Sequence, residues 1–182
     1  MCISILPKPA HPKQKNGFTL VEILVVVSII GLLLGLSFPA VTGAIQTGKK
    51  TEVAAVAESI KTAISAFYAE YSSYPTNTSG QIFTNTDANF LTALGTNGTN
   101  FGNSRGISFL EIPIKFTNQN GIVTPKGFYA GNRQSNFMIS IDLQQAGTVT
   151  NRVGSSNYVV PASISVWVTD PKNPNKPLGT FR

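Results

Sequence analysis

One carboxylate stands inside a long apolar run near the beginning of the chain. The stretch NGFTLVEILVVV, residues 16–27, contains Glu22, which is the only charged side chain of residues 18–38. An ionised side chain in hydrocarbon costs on the order of a few kcal/mol or more unless it is paired. The chemistry open to Glu22 is therefore ion pairing, with a cation that the apolar run itself does not supply.

Side chains for catalysis or metal binding are scarce in this sequence. Its one cysteine, Cys2, and its one histidine, His11, both precede Gly17. A chain that begins after Gly17 can form no Ser–His or Cys–His pair, and it lacks the nitrogen and sulfur ligands of zinc. We therefore expect no enzyme activity and no cofactor.

The charge pattern does not favour a nucleic-acid partner. The formal net charge is +6, and three lysines without an acid precede residue 18. The later basic residues stand singly or in pairs, whereas a nucleic-acid binder usually concentrates them on one face or stripe. We interpret the later charges as ordinary solvated surface.

The run of residues 18–38 is long enough to cross a bilayer. As a helix it would extend ~30 Å, the thickness of the hydrocarbon core. The basic residues on its N-terminal side predict that this end stays in the cytoplasm and that the rest of the chain faces outward.

Two ordinary explanations of this run stay open. A secretory signal peptide could be cleaved near Ala44, although its apolar region is typically ~7–15 residues and would not begin with a carboxylate. A plain signal anchor fits the length and the orientation. Neither alternative explains Glu22.

The motif GFTLVE, residues 17–22, resembles the cleavage and N-methylation motif of type IV pilins and type II secretion pseudopilins. The resemblance implies that a prepilin peptidase cuts between Gly17 and Phe18 and methylates the new amino group of Phe18. It also implies further partners, namely other copies of this chain, minor pilins and an inner-membrane assembly platform, with the lipid bilayer as surroundings before assembly.

Such a cut would create the cation that Glu22 lacks. The amino group of Phe18 on a neighbouring copy could pair with the Glu22 carboxylate, and two such charges compensate each other in a medium of low dielectric. Glu22 would then favour assembly and set the register between subunits. The alternative is that Glu22 lies near the interface and extends toward the lipid headgroups.

Two glycines and a proline occur in and just after the rest of the apolar run. Gly31 and Gly35 form a small-xxx-small pattern that allows two helix backbones to approach closely. Pro39 lacks an N–H group, so the helix should bend or loosen just before it. The family resemblance implies that the stretch from Gly31 to Pro39 loses helical structure on assembly, while a merely kinked helix is the alternative.

The sequence predicts an α+β fold in which a long N-terminal helix packs on a small antiparallel sheet. Apolar residues after Pro39 recur at steps of three or four, which indicates one buried helix face; they are Val53, Val56, Ile60, Ile64, Phe67 and Tyr71. We predict a leader at 1–17, a helix at 18–74 with its membrane-spanning part at 18–38, and a loop-rich domain at 75–182.

Within that last domain the period changes from helix to strand. A short helix is predicted from its N-cap Asp87 to Gly95. Apolar residues alternate with others over 112–116, 137–141 and 164–168, and Asp142 is interpreted as an outward strand residue. These strands should form an antiparallel sheet against the apolar face of the long helix.

The resemblance to major pseudopilins also implies a calcium-binding loop near the C-terminus, and the comparable stretch here is residues 165–182. Asp170, Asn173 and Asn175 are the weak candidate ligands, and Lys172 and Lys176 lie among them. Calcium takes about six to eight oxygen ligands, several of them carboxylates. We expect no bound metal here.

The resulting hypothesis is a structural subunit of a type IV pilus-like or type II secretion filament, most like a major pseudopilin. It would reside in the bacterial inner membrane as a single-pass protein and then enter a pilus or pseudopilus. One alternative is a single-pass membrane-anchored binding protein that does not polymerise. Another is a secreted enzyme that uses only Asp, Glu, Lys, Ser or Tyr.

Overall fold

The computed structural model describes residues 17–180, so the predicted leader lies outside the described residues except for Gly17. One long helix, α1, spans Leu20–Tyr71 and is followed by a short helix, α2, at Ala88–Ala93. The chain divides into two compact units after Gly43, so that the second half of α1 belongs to the same unit as the strands.

The first unit is an apolar helix whose side chains are exposed. From residue 20 onward its large aliphatic side chains are all roughly half or more exposed. By length and composition α1 can cross a membrane, and none of its most apolar window is buried. A helix that is apolar on every side is expected in lipid or in the core of an assembly.

The second half of α1 buries one face, as the periodicity predicts. Val53, Val56, Ile60, Ile64 and Phe67 are buried, and Tyr71 packs against the same core. The helix ends at Tyr71 because Ser72 takes a left-handed conformation with φ of 52°, which is how many helices terminate.

A three-stranded antiparallel sheet covers that face. It consists of β3 (Met138–Ile141), β6 (Ile164–Thr169) and β7 (Pro177–Gly179), in the order β3-β6-β7. Ile139, Ile164, Val166 and Val168 join the α1 residues in one core. The predicted α+β architecture is confirmed. Asp142 lies just after β3 and accepts hydrogen bonds from the backbone of Gln144 and Gly147, so its interpretation as a strand residue is wrong.

The helix α2 begins where the sequence predicts. The Asp87 side chain accepts a hydrogen bond from the Phe90 backbone at 2.8 Å, so Asp87 is the N-cap. Beside it lies a hairpin of β1 (Thr117–Asn118) and β2 (Gly121–Ile122). Gly121 has a φ of 101°, and a Cβ there would stand 2.2 Å from the carbonyl carbon of Asp87, so only glycine allows this approach.

The strand predicted at 112–116 is wrong. Pro113 has a φ of −57° and precedes a turn of 3-10 helix at Ile114–Phe116, in which the Phe116 N–H donates to the Pro113 carbonyl at 2.8 Å. Proline has no N–H for a strand ladder, and its fixed φ suits the start of a helical turn. As a result Phe116 is buried, whereas Ile114 is exposed.

A second hairpin was not predicted. It pairs β4 (Val149–Val153) with β5 (Ser156–Val160) through a two-residue turn. The Asn151 side chain donates to the Ser165 hydroxyl at 2.8 Å, which holds this hairpin against the face of the sheet opposite α1. Trp167 and Val153 are buried in this layer, outside the main core.

Candidate processing and assembly segment

A reciprocal pair of hydrogen bonds starts the long helix. The Thr19 backbone N–H donates to Oε2 of Glu22 at 2.7 Å, and the Glu22 N–H donates to Oγ1 of Thr19 at 3.3 Å. The Thr19 hydroxyl also donates to the same Oε2 at 2.7 Å. This is the capping box, in which a threonine at the N-cap and a glutamate three residues later satisfy two donors of the first turn.

The capping box gives Glu22 a partner within its own chain. Sequence reasoning missed Thr19, although the spacing Thr-x-x-Glu before an apolar run was visible. Both hydrogen bonds that Thr19 donates to the carboxylate end on Oε2, so Thr19 donates none to Oε1. The carboxylate can therefore keep its cap and still face a cation.

Gly17 and Phe18 precede the helix. Neither lies in a helix or strand, and the Phe18 side chain is 84% exposed. The peptide bond between them is therefore outside the hydrogen-bonded helix, as access by a peptidase requires. Cleavage and methylation at these residues stay a prediction.

The serines of the apolar segment bond to their own helix. Ser28 donates to the Leu24 carbonyl at 2.8 Å, and Ser37 donates to the Leu33 carbonyl at the same distance. A hydroxyl without a partner is costly in hydrocarbon. Both serines are thus compatible with a lipid environment.

The glycines leave open positions on the helix surface. A Cβ added at Gly31 or at Gly35 would meet no atom within 4 Å apart from the backbone of its own helix. The backbone is helical from Leu20 to Tyr71, so the helix is not interrupted before Pro39. Loss of helix between Gly31 and Pro39 concerns an assembled subunit and stays a prediction.

The C-terminal loop is joined to the second half of α1 by an ion pair. Lys50 Nζ lies 2.6 Å from Oδ2 of Asp170, whose side chain is 11% exposed. The Lys172 backbone donates to Oδ1 at 2.8 Å. Burial raises the pKa of Asp170, but the hydrogen bonds from Lys50 and the Lys172 backbone and the charge of Lys50 outweigh it, so its pKa lies below the ordinary 3.8.

The candidate calcium ligands do not converge on an ion. Both oxygens of Asp170 already accept hydrogen bonds, and the side-chain oxygen of Asn173 accepts from the Asn175 backbone at 3.3 Å. Over residues 17–180 no three His, Cys, Asp or Glu side chains come together as a possible metal site. A metal at Asp170 would have to displace Lys50.

We expect Asp170→Asn to lower the free energy of unfolding by about 2 kcal/mol at pH 7, because it leaves Lys50 partly buried without a counter-charge. The folded state lowers the pKa of Asp170, so this stabilisation is present above pH 4 and disappears as the pH falls through that lowered pKa. Urea unfolding at pH 7 and pH 3 measures this contribution to the free energy of unfolding.

Glu58→Gln, which breaks the exposed Lys61–Glu58 pair, is the control and should change the free energy of unfolding little. An equal loss from both variants would contradict the prediction.

Comparison with known proteins finds one family and several relatives that match part of the chain. Residues 12–38 match the family described as prokaryotic N-terminal methylation motif. A fimbrial protein of Neisseria meningitidis serogroup A is 31% identical over 74 residues, which cover 40% of this chain and 44% of the relative. The type IV major pilin protein PilE1 of Neisseria gonorrhoeae is 30% identical over 63 residues, 35% of this chain and 38% of the relative.

One further relative matches a larger share of the chain. The fimbrial protein EcpC of Eikenella corrodens is 26% identical over 119 residues, 59% of this chain and 78% of the relative. The chain spans less than half the length of the Neisseria relatives it matches. No solved structure matches it.

The apolar helix, its capped start and the methylation motif define a chain with a prepilin-type N-terminal segment. Together with the fimbrial and pilin relatives, they show that this segment is similar to that of type IV pilins.

Proposed function

We propose that this chain is a structural subunit of a type IV pilus-like filament, that it is cut by a prepilin peptidase after Gly17, and that it polymerises through residues 18–38. The observation that carries the proposal is Glu22. It is a carboxylate held at the first turn of a helix whose other side chains, up to residue 38, are apolar or hydrogen-bonded within that helix. Its counter-charge would be the amino group of Phe18 on a neighbouring copy.

Several features support this function over an enzyme. The second unit offers a compact core but no histidine or cysteine for catalysis. The relatives carry the names fimbrial protein and type IV major pilin protein, which supports a pilus more than a secretion pseudopilus. We propose no resident cofactor, and a single-pass topology in the inner membrane with the second unit outside the cytoplasm.

Mass spectrometry of the mature protein tests the processing step. We expect an N-terminus at Phe18 that carries one added methyl group. An intact Met1 would contradict the proposal, and so would a terminus near Val41 or Ile45, which indicates an ordinary signal peptide.

Electron microscopy of wild-type and deletion strains tests the filament. We expect the wild-type strain to carry surface filaments that an antibody against this chain labels. We expect the deletion strain to lack them. A chain that is processed at Phe18 but stays monomeric in its own host would instead be the membrane-anchored binding protein. Unchanged filaments together with a loss of secreted proteins would indicate a secretion pseudopilus.

A further inference from the structure

A basic cleft opens on the surface of the second unit. Its volume is about 550 Å³, and its lining includes Lys49, Glu52, Ile114, Lys115 and Lys126. Three lysines and one glutamate therefore line a single opening. The cleft lies wholly within the second unit, since all its residues follow Gly43.

An exposed isoleucine stands at this cleft on a fixed turn. Ile114 is 88% exposed, while Phe116, two residues later, is buried in the core. The Ile114 carbonyl accepts a hydrogen bond from the Thr117 hydroxyl at 3.1 Å. An isolated exposed apolar side chain is ordinary, but this one is held outward by a buried anchor and is flanked by a lysine.

The charges beside Ile114 are only partly compensated. Lys115 pairs with Glu52, and Lys49 donates to the Gly127 carbonyl at 2.9 Å. In the described part of the chain, no acidic side chain lies within ion-pair distance of Lys126. The result is a surface with an excess of positive charge around an apolar side chain, which is the chemistry that an anionic lipid headgroup region complements.

The length of chain between the apolar segment and this cleft is short. Eleven residues lead from Phe38, at the end of the apolar segment, to Lys49. Even fully extended, eleven residues reach no more than about 40 Å. Lys49 therefore lies within about 40 Å of the end of the apolar segment along the chain, so that contacts with a bilayer around that segment add to an existing anchor.

We propose that this cleft is a docking surface for anionic phospholipid, occupied while the subunit resides in the membrane. Ile114 enters the headgroup region, and the lysines contact lipid phosphates. The inference goes beyond the proposed filament function, because it requires the membrane span but no polymerisation.

The test uses the full chain reconstituted in vesicles. A Cys2→Ser, Ile114→Cys variant carries one environment-sensitive fluorophore at position 114. In vesicles with about 30% phosphatidylglycerol we expect a blue-shifted emission and protection from an aqueous quencher, compared with pure phosphatidylcholine. About 0.5 M NaCl should reverse the shift, because salt screens exposed charges. A label at Val159→Cys, another exposed apolar position, should not respond.

Charge variants separate a local surface from net charge. The double variant Lys115→Gln, Lys126→Gln should weaken binding to phosphatidylglycerol vesicles about 25-fold, because each lysine contributes about fivefold. Arg152→Gln with Lys176→Gln removes the same charge from side chains outside this cleft and should leave the response unchanged. Equal effects of the two double variants would overturn the proposal. So would equal signals in both lipids, or a response to double-stranded DNA and none to phosphatidylglycerol.

Discussion

Replacing Glu22 by alanine is expected to leave cleavage and membrane insertion intact and to reduce filament yield by about tenfold or more. The motif that a peptidase would recognise, and the apolar run that inserts, are unchanged by this substitution. Under the proposed pairing, the substitution removes the partner of the Phe18 ammonium on a neighbouring copy, and breaking a buried ion pair costs about 3–5 kcal/mol. Immunoblots of sheared surface filaments measure the yield, and mass spectrometry of the terminus verifies processing.

The capping box supplies the variants that separate the two roles of Glu22. Glutamine at this position retains the cap but has no charge, because either Glu or Gln serves in a capping box. Thr19→Ala weakens the cap, at about 1 kcal/mol, and keeps the carboxylate. We expect Glu22→Gln to assemble as poorly as Glu22→Ala, and Thr19→Ala to assemble nearly normally. The reverse order would show that helix capping, and not pairing between subunits, explains Glu22.

Replacing Phe67 by alanine should destabilise the second unit by about 3–5 kcal/mol. The Phe67 ring is fully buried, and its centroid lies 4.7 Å from that of Tyr71 and 5.3 Å from that of Phe109. The substitution removes these ring contacts and leaves a cavity between α1 and the loop that carries Phe109. Urea unfolding of the detergent-solubilised full chain, followed by the fluorescence of Trp167, measures the loss.

The adjacent residue provides a matched control for this substitution. Tyr68 lies on the exposed side of the same helical turn and contacts only the Tyr74 ring among the aromatic side chains described, at 4.6 Å. We expect Tyr68→Ala to cost about 1 kcal/mol or less. If both variants lost the same stability, the buried face of α1 would not be the centre of this core.

The parts of the fold that could be predicted are those that depend on local patterns. The buried face of α1, from Val53 to Tyr71, follows from helical periodicity alone, because a helix packed on one side must repeat its apolar residues every three or four positions. Asp87 was identifiable as an N-cap for an equally local reason. The strands β3 and β6 alternate clearly enough to be recognised.

The missed features depend on competition between local signals and on tertiary contacts. Around Pro113 an alternating pattern suggested a strand, but the fixed φ of proline selected a 3-10 turn and left Ile114 exposed. The β4–β5 hairpin buries its side chains on a sheet face that sequence alone does not locate. The pairing of Lys50 with Asp170 joins residues 120 positions apart, and no spacing rule predicts it.

In the candidate site the short-range elements were the predictable ones. GFTLVE identifies the positions of Gly17, Phe18 and Glu22 because a peptidase motif must be contiguous in sequence. Thr19 belongs to the same motif, and its capping role is equally local, because it depends only on the spacing Thr-x-x-Glu before an apolar run.

The contact between Lys50 and Asp170 also has a mechanical consequence. It fastens the segment between the last two strands directly to the long helix, bypassing the sheet that otherwise joins them. A pulling force on that segment is therefore transmitted to the helix partly through this ion pair, which lowers the force on the hydrogen bonds between the strands. Protonation of Asp170 in acid would break the ion pair, and the same force would then act on the pairing of β6 with β7, which is only three residue pairs long.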